Sequence, residues 1–217
     1  TTVPKTHGQQ VTTSAFLSVR SEDNGRTWAA PVDMPHPYTY CSGKINSGVQ
    51  CADGALAFGF CADLNIQSGR CVRNDGEMRG AAGVMISTDE GRTWTAGQTI
   101  SLREDTPARF GYALSGLDEP ALAVCRDGTL YMLMRSGFDR LYEARSRDQG
   151  HTWSSPRPSA LMAHDCPADI CTFDDPERGR GWLAVYDHSP KHRYPLAVAV
   201  SLDEARSWSP PLVICDA

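Results

Sequence analysis

The sequence lacks any apolar run approaching the roughly eighteen residues that a membrane-spanning helix needs. It also lacks blocks of like charge and any amphipathic helical pattern of useful length. Its 21 basic and 26 acidic residues leave a net charge of -5, which disfavours nucleic acid as a partner. Thr1 to Gln10 carries neither the basic nor the apolar region of a signal peptide. The expectation is a soluble protein that binds neither membrane nor nucleic acid, secreted or periplasmic, with any export signal already removed. Its 217 residues suffice for one sizeable core or two small ones.

Tight metal-ligand spacing is also missing. His164, Asp165 and Cys166, with His188 and His192, are the nearest approach to a zinc set, but their spacing matches none of the usual patterns, so no metal is expected. The eight cysteines are an even number, as in disulfide-rich secreted chains. Yet Cys51, Cys125 and Cys171 each sit just before a turn at matching places in the chain, as small buried hydrophobes do, and they are expected to be free thiols. Cys61 and Cys71 flank one loop and Cys166 and Cys171 another, which leaves local pairing open there.

What is present in excess is one octapeptide. It occurs as Ser21-Glu-Asp-Asn-Gly-Arg-Thr-Trp28, Ser87-Thr-Asp-Glu-Gly-Arg-Thr-Trp94, Ser146-Arg-Asp-Gln-Gly-His-Thr-Trp153 and, in a degenerate form, Ser201-Leu-Asp-Glu-Ala-Arg-Ser-Trp208. Its chemistry is that of a turn, because an aspartate accepts backbone N–H bonds two residues on and a glycine supplies positive φ. The tryptophan is then expected to pack beneath. One identical turn per repeat makes Asp23, Asp89, Asp148 and Asp203 structural rather than catalytic or calcium-binding.

A short strand-like segment precedes each octapeptide: Ala15 to Val19, Gly83 to Ile86, Leu141 to Ala144 and Leu196 to Val200. Between octapeptides lie hairpin signals, with Asp53-Gly54 inside Val49 to Phe60, Asp127-Gly128 inside Ala121 to Met134, and a looser version from Ile170 to Tyr186. Each unit therefore reads as strand A, turn, strand B, loop, strand C, octapeptide, strand D. Four antiparallel strands per unit make a β-propeller blade, and the fold class is all-β, with about four blades in this chain. Antiparallel strands alternate direction, so the octapeptides share one rim with the Asp-Gly turns. The B-to-C loops and D-to-A links occupy the other rim, where a functional site is expected.

The octapeptides and blade pattern resemble the sialidase (neuraminidase) superfamily of six-bladed propellers with Asp boxes, over nearly the whole chain. The resemblance implies a glycoside hydrolase that needs no cofactor and removes a terminal acidic sugar, gripped by three arginines. It further implies a tyrosine nucleophile partnered by a glutamate, and an aspartate as acid/base. A neutral nucleophile suits a substrate whose own carboxylate adjoins the reacting carbon. The family's glutamate opens a strand, an Asp-Gly turn follows, and the second arginine ends the returning strand. Leu117-Asp118-Glu119-Pro120, Asp127-Gly128 and Met134-Arg135-Ser136 stand in that order, and folding the hairpin about its turn independently brings Glu119 opposite Arg135. Arg193, in His192-Arg193-Tyr194-Pro195-Leu196 before the fourth box, matches the third arginine. Glu119 is thus the candidate catalytic residue, and Arg135 and Arg193 the candidate substrate binders.

Other parts of the family pattern are absent. There is no Arg-Ile-Pro motif for the first arginine, no convincing nucleophilic tyrosine, and no aspartate in Thr1 to Thr13, which offers His7, Gln9 and Gln10 instead. Counting back two blades from Glu119 favours a chain that starts in the family's second blade, with remaining propeller segments or another chain completing the ring. Two rival functions are a non-catalytic glycan- or protein-binding propeller and a polysaccharide lyase, the latter drawing on Tyr112, His164 or His188. Asp63, Arg70, Arg73, Glu77, Arg103, Asp105, Arg109, Asp187 and His188 are further rim residues, each expected to be solvated surface.

Overall fold

A computed structural model describes residues 14–42, 48–64, 66–67, 70–71, 78–102 and 114–216. These residues form seventeen strands and no helix. The first pair, β1 (Phe16–Ser18) and β2 (Val32–Met34), is antiparallel around the first box. In the second unit β3 (Cys41–Ser42) and β4 (Val49–Gln50) both pair with β5 (Leu56–Asp63). A small ribbon of β6 (Ile66–Gln67) and β7 (Arg70–Cys71) follows. The unit ends with β8 (Met78–Ser87), which pairs with β5, and β9 (Thr95–Ala96).

The third unit is an antiparallel succession of β10 (Leu114–Val124), β11 (Leu130–Ser136), β12 (Arg140–Ser146) and β13 (Arg157–Met162). The fourth repeats it with β14 (Ala168–Asp175), β15 (Gly179–Asp187), β16 (Leu196–Ser201) and β17 (Leu212–Cys215). Each is a four-stranded propeller blade. One departure from antiparallel order exists: Leu114 to Gly116 of β10 run parallel to Met78 to Gly80 of β8, which merges the second and third blades into one nine-stranded sheet.

Three apolar clusters lie at the three blade junctions. Phe16, Met34, Phe60, Met85 and Trp94 fill the first, and Val84, Leu117, Leu130, Met132 and Trp153 the second. Tyr131, Leu133, Leu161, Trp182, Tyr186 and Trp208 fill the third. Burial of such side chains contributes about 1.5–3 kcal/mol each and is the main force holding blade to blade. A polar link recurs beside the apolar one. Arg20 donates to the Glu90 carbonyl at 3.0 Å, and at the equivalent places of the last junction Arg145 donates to the Glu204 carbonyl at 2.5 Å.

All four boxes adopt the same turn. The serine hydroxyl donates to the aspartate at 2.7–2.9 Å and accepts the N–H four residues on at 2.7–2.8 Å. The aspartate accepts the backbone N–H four residues on at 2.8 Å, and the Thr or Ser hydroxyl there at 2.5–2.7 Å. The span is therefore four residues, not the two expected from simple Asp turns, because the serine takes over the nearer N–H. The degenerate box keeps every bond, with Ala205 held at φ 64° where the others use glycine. The hydrogen bonds from Thr27 hold the Asp23 carboxyl down to about 2.

Trp94, Trp153 and Trp208 each pack on the blade that precedes them, as expected. Trp28 does not and is 61% exposed, since no blade precedes β1 among the described residues. Among the described residues all the other exposed large hydrophobics lie in the first and last units: Leu17, Val19 and Val32 in one, and Tyr194, Leu196, Leu202, Leu212, Val213 and Ile214 in the other.

Among the described side chains seven cysteines are free, including Cys61 and both Cys166 and Cys171, so neither local pairing forms. Cys51 and Cys125 are buried, but Cys171 is exposed, because it lies on the outward face of β14. No helix among the described residues is long and apolar enough to cross a membrane.

Candidate functional site

Strand direction brings one cluster of charge to the rim opposite the boxes. β10 and β11 pair with Asp118 opposite Arg135, then the register slips so that Ala121 faces Leu133. Glu119 and Pro120 occupy the resulting bulge, with Glu119 at φ 46°. A bulge turns a side chain out of the regular alternation, and this one aims the Glu119 carboxylate at Arg135. Arg135 Nη1 donates to Glu119 Oε2 at 3.0 Å.

The guanidinium has a second carboxylate partner. Arg135 Nε donates to Asp165 Oδ1 at 2.9 Å from the link between β13 and β14. Asp165 also holds Arg193, in the loop between β15 and β16, whose Nη2 donates to the Asp165 carbonyl at 2.6 Å and lies 3.6 Å from Oδ2. The side chains of Arg135, Glu119 and Asp165 are 12%, 17% and 8% exposed, whereas Arg193 is 56% exposed. Burial works against the Arg135 charge, but the Asp165 hydrogen bond and the Glu119 charge outweigh it and raise its pKa.

Backbone strain marks the same two carboxylates. Among the described residues, five of the seven non-glycine residues at positive φ belong to the box turns: Asn24, Glu90, Gln149, Glu204 and Ala205. The other two are Glu119 and Asp165, at φ 46° and 48°. Such residues cost of order 1 kcal/mol or more each and persist where the surroundings hold them.

Beneath this pair lies Asp118, whose carboxylate fills the space a side chain on Gly80 would need, 2.6–2.7 Å from where a Cβ would stand. Burial pushes the Asp118 carboxyl up to about 6, against the opposing pull of Arg135, and the charges of Glu119 and Asp63 add to the rise. The surrounding blades thus keep a protonatable acid under a cluster that is otherwise balanced, two arginines against two carboxylates.

A model of the BNR repeat-like domain matches residues 2–217. The chain belongs to that family. It is 28% identical to a sialidase of Bacteroides fragilis (strain YCH46), over 91% of this chain and 34% of that protein, so it spans about a third of that relative's length. Among solved structures, the Hadza microbial sialidase Hz136 aligns with a TM-score of 0.72 at 21% identity, over 94% of this chain and 37% of its own. The NanB sialidase of Streptococcus pneumoniae aligns with a TM-score of 0.68 at 18% identity, over 94% of this chain and 29% of its own. At these identities the structures establish the fold, a sialidase-like β-propeller.

In this BNR repeat-like chain the structure joins Glu119, Arg135 and Arg193 through Asp165. The sequence shows Asp165 only as part of a weak metal pattern, although its place in a D-to-A link on the site rim was a usable signal. Among the described residues no group of three His, Cys, Asp or Glu side chains is placed to hold a metal ion. Asp63 is not solvated surface but buried, accepting the Arg79 N–H at 3.1 Å at the end of β5. His188 stands 3.3 Å from the Tyr186 hydroxyl. Tyr112, Arg73, Glu77, Arg103, Asp105, Arg109, His7, Gln9 and Gln10 lie outside the described residues, and so does the side chain of Arg70.

Proposed function

We propose that residues 1–217 are part of a single sialidase-like propeller domain, and that the Glu119, Arg135 and Arg193 rim is one wall of the active centre of a glycoside hydrolase. Its substrate is a glycan ending in an acidic sugar, and it acts outside the cytosol. The observation that carries this reading is the pairing of a bulged, strained Glu119 with Arg135 at 3.0 Å, on the rim away from the repeated turns. Strain held at one place in a rigid scaffold, beside buried charge, is how active centres are built.

In this reading Arg135 and Arg193 bind the sugar carboxylate, and Glu119 takes up the proton of a tyrosine nucleophile supplied from outside the chain. The acid/base aspartate and the first arginine are supplied in the same way. The apolar side chains left open on the first and last blades support a ring completed by further propeller segments. No cofactor is needed, since acid, base and nucleophile are all side chains.

The test is hydrolysis of a sialoside by the intact protein, comparing wild type with Glu119→Gln. The variant keeps size and hydrogen-bonding capacity but cannot accept a proton, so kcat should fall about 100-fold or more while KM changes little. Unchanged kcat in the variant, or no turnover of sialosides by the wild type, would sink the reading.

A further inference from the structure

Arg135 presents a planar guanidinium with three nitrogens, of which two are already committed. Nη1 goes to Glu119 and Nε to Asp165, leaving Nη2 without a partner among the described residues. Nη2 still carries two N–H donors, and a carboxylate held there gains a further charged donor if a second arginine lies within reach. Arg193 offers it: its Nη2 is engaged, its Nη1 and Nε have no partner among the described residues, and its side chain is 56% exposed. The two arginines come from adjacent blades, Arg135 from β11 and Arg193 from the loop before β16, and like charges do not approach unaided.

We infer that Asp165 is the positioning residue that sets these two arginines at the spacing of one carboxylate, so that the acidic sugar is bridged between blades. Asp165 touches both cations with different atoms, the carboxylate on Arg135 and the carbonyl on Arg193. It sits on the one link that joins those two blades, and it is held at φ 48° with its side chain 8% exposed. A carboxylate so enclosed cannot swing away to make room for a ligand, which argues for an anchor rather than an internal competitor. Glu119 fixes the other end of the Arg135 plane. The inference rests on the anionic-sugar reading above.

The experiment is a double-mutant cycle on the intact protein. Asp165→Gly removes the side chain without backbone strain, since glycine accepts positive φ, and Asp165→Asn keeps an acceptor and tolerates the same backbone. With a sialoside, Asp165→Gly should raise KM about tenfold with kcat changed about twofold or less, and Asp165→Asn should recover part of the loss. In an Arg193→Ala background the same Asp165→Gly change should raise KM about twofold or less, because Arg135 then has no second arginine to be held in spacing with. Nuclear magnetic resonance of the arginine Nε–H groups gives a readout that needs no turnover. A slowly exchanging Arg135 Nε–H should be present in wild type and lost in Asp165→Gly.

Additive effects in the cycle, or a lower KM in Asp165→Gly, would overturn the inference while leaving a working hydrolase intact. Absence of turnover in wild type, with the protected Nε–H present and lost on substitution, would overturn the hydrolase reading and retain the arrangement of the arginines. A rapidly exchanging Arg135 Nε–H in wild type would overturn the arrangement itself.

Discussion

The two rims of this propeller carry strain in opposite ways. On the box rim a left-handed residue recurs at Asn24, Glu90, Gln149 and Glu204, each time inside the same set of local hydrogen bonds. On the opposite rim Glu119 and Asp165 occur once each, and what holds them comes from other strands: a bulge against β11 and the guanidinium of Arg135. Strain that repeats is part of the scaffold. Strain that occurs once, beside charge, marks the proposed site.

The sharpest way to break that comparison is Arg135→Lys. An ammonium lacks the planar fork that meets Glu119 at Nη1 and Asp165 at Nε while holding Nη2 toward a ligand, so kcat/KM on a sialoside should fall about 100-fold or more with the charge retained. A loss of threefold or less would place the site elsewhere.

Next in size is the converse change on the box rim. Asp148→Ala deletes an acceptor of three hydrogen bonds, from Ser146 Oγ, Thr152 N and Thr152 Oγ1. It should cost about 2–3 kcal/mol in denaturant unfolding and leave KM unaltered in the intact enzyme. An altered KM would show that the box rim also serves the site.

Asp118 tests whether the site rim is destabilised as functional sites tend to be. Its folded-state pKa, about 6, lies above the ordinary aspartate value of 3.8, so folding favours the protonated form and the acid weakens the fold increasingly as pH rises from about 4 through 6. Asp118→Asn should therefore match wild type near pH 4 and exceed it at pH 7 by on the order of 2 kcal/mol. Equal thermal melts at both pH values would mean that Asp118 is not strained.

The smallest effect concerns a difference among the repeats. Trp94 Nε1 donates to Ser18 Oγ of the preceding blade at 3.2 Å, but the buried Nε1 of Trp153 has no hydrogen-bond partner among the described residues. The residue three before each box serine is Ser18 in the first unit and Val84 in the second, which explains the orphan. Trp208 Nε1 is likewise without one, since the matching residue, Glu143, is taken by Tyr131 and Arg157. Val84→Thr should place a hydroxyl beside Trp153 and stabilise by about 0.5–1 kcal/mol. A lower Tm would show that the two junctions are not equivalent.

Much of this was legible in the chain because it is local. Ser-x-Asp-x-Gly-x-Thr-Trp carries its own donors, acceptors and left-handed residue, so each copy specifies one turn wherever it stands. Asp-Gly between apolar runs specifies a hairpin in the same way, and a regular hairpin would set Glu119 across from Arg135, although the bulge at Glu119 and Pro120 gives that place to Asp118. The sequence by itself therefore determined the all-β class, the blades, the segregation of turns and loops to opposite rims, and the nearness of Glu119 to Arg135, though not their register. Tertiary structure alone decided what depends on contact between separate units. It leaves Trp28 open among the described residues, because a box tryptophan packs on the blade before it. It buries Asp63 and raises the pKa of Asp118, because β8 packs against β10 through Gly80. It makes Asp165 the link between Arg135 and Arg193, residues 58 positions apart in sequence, because only the stacking of the third blade on the fourth brings them within reach of one carboxylate.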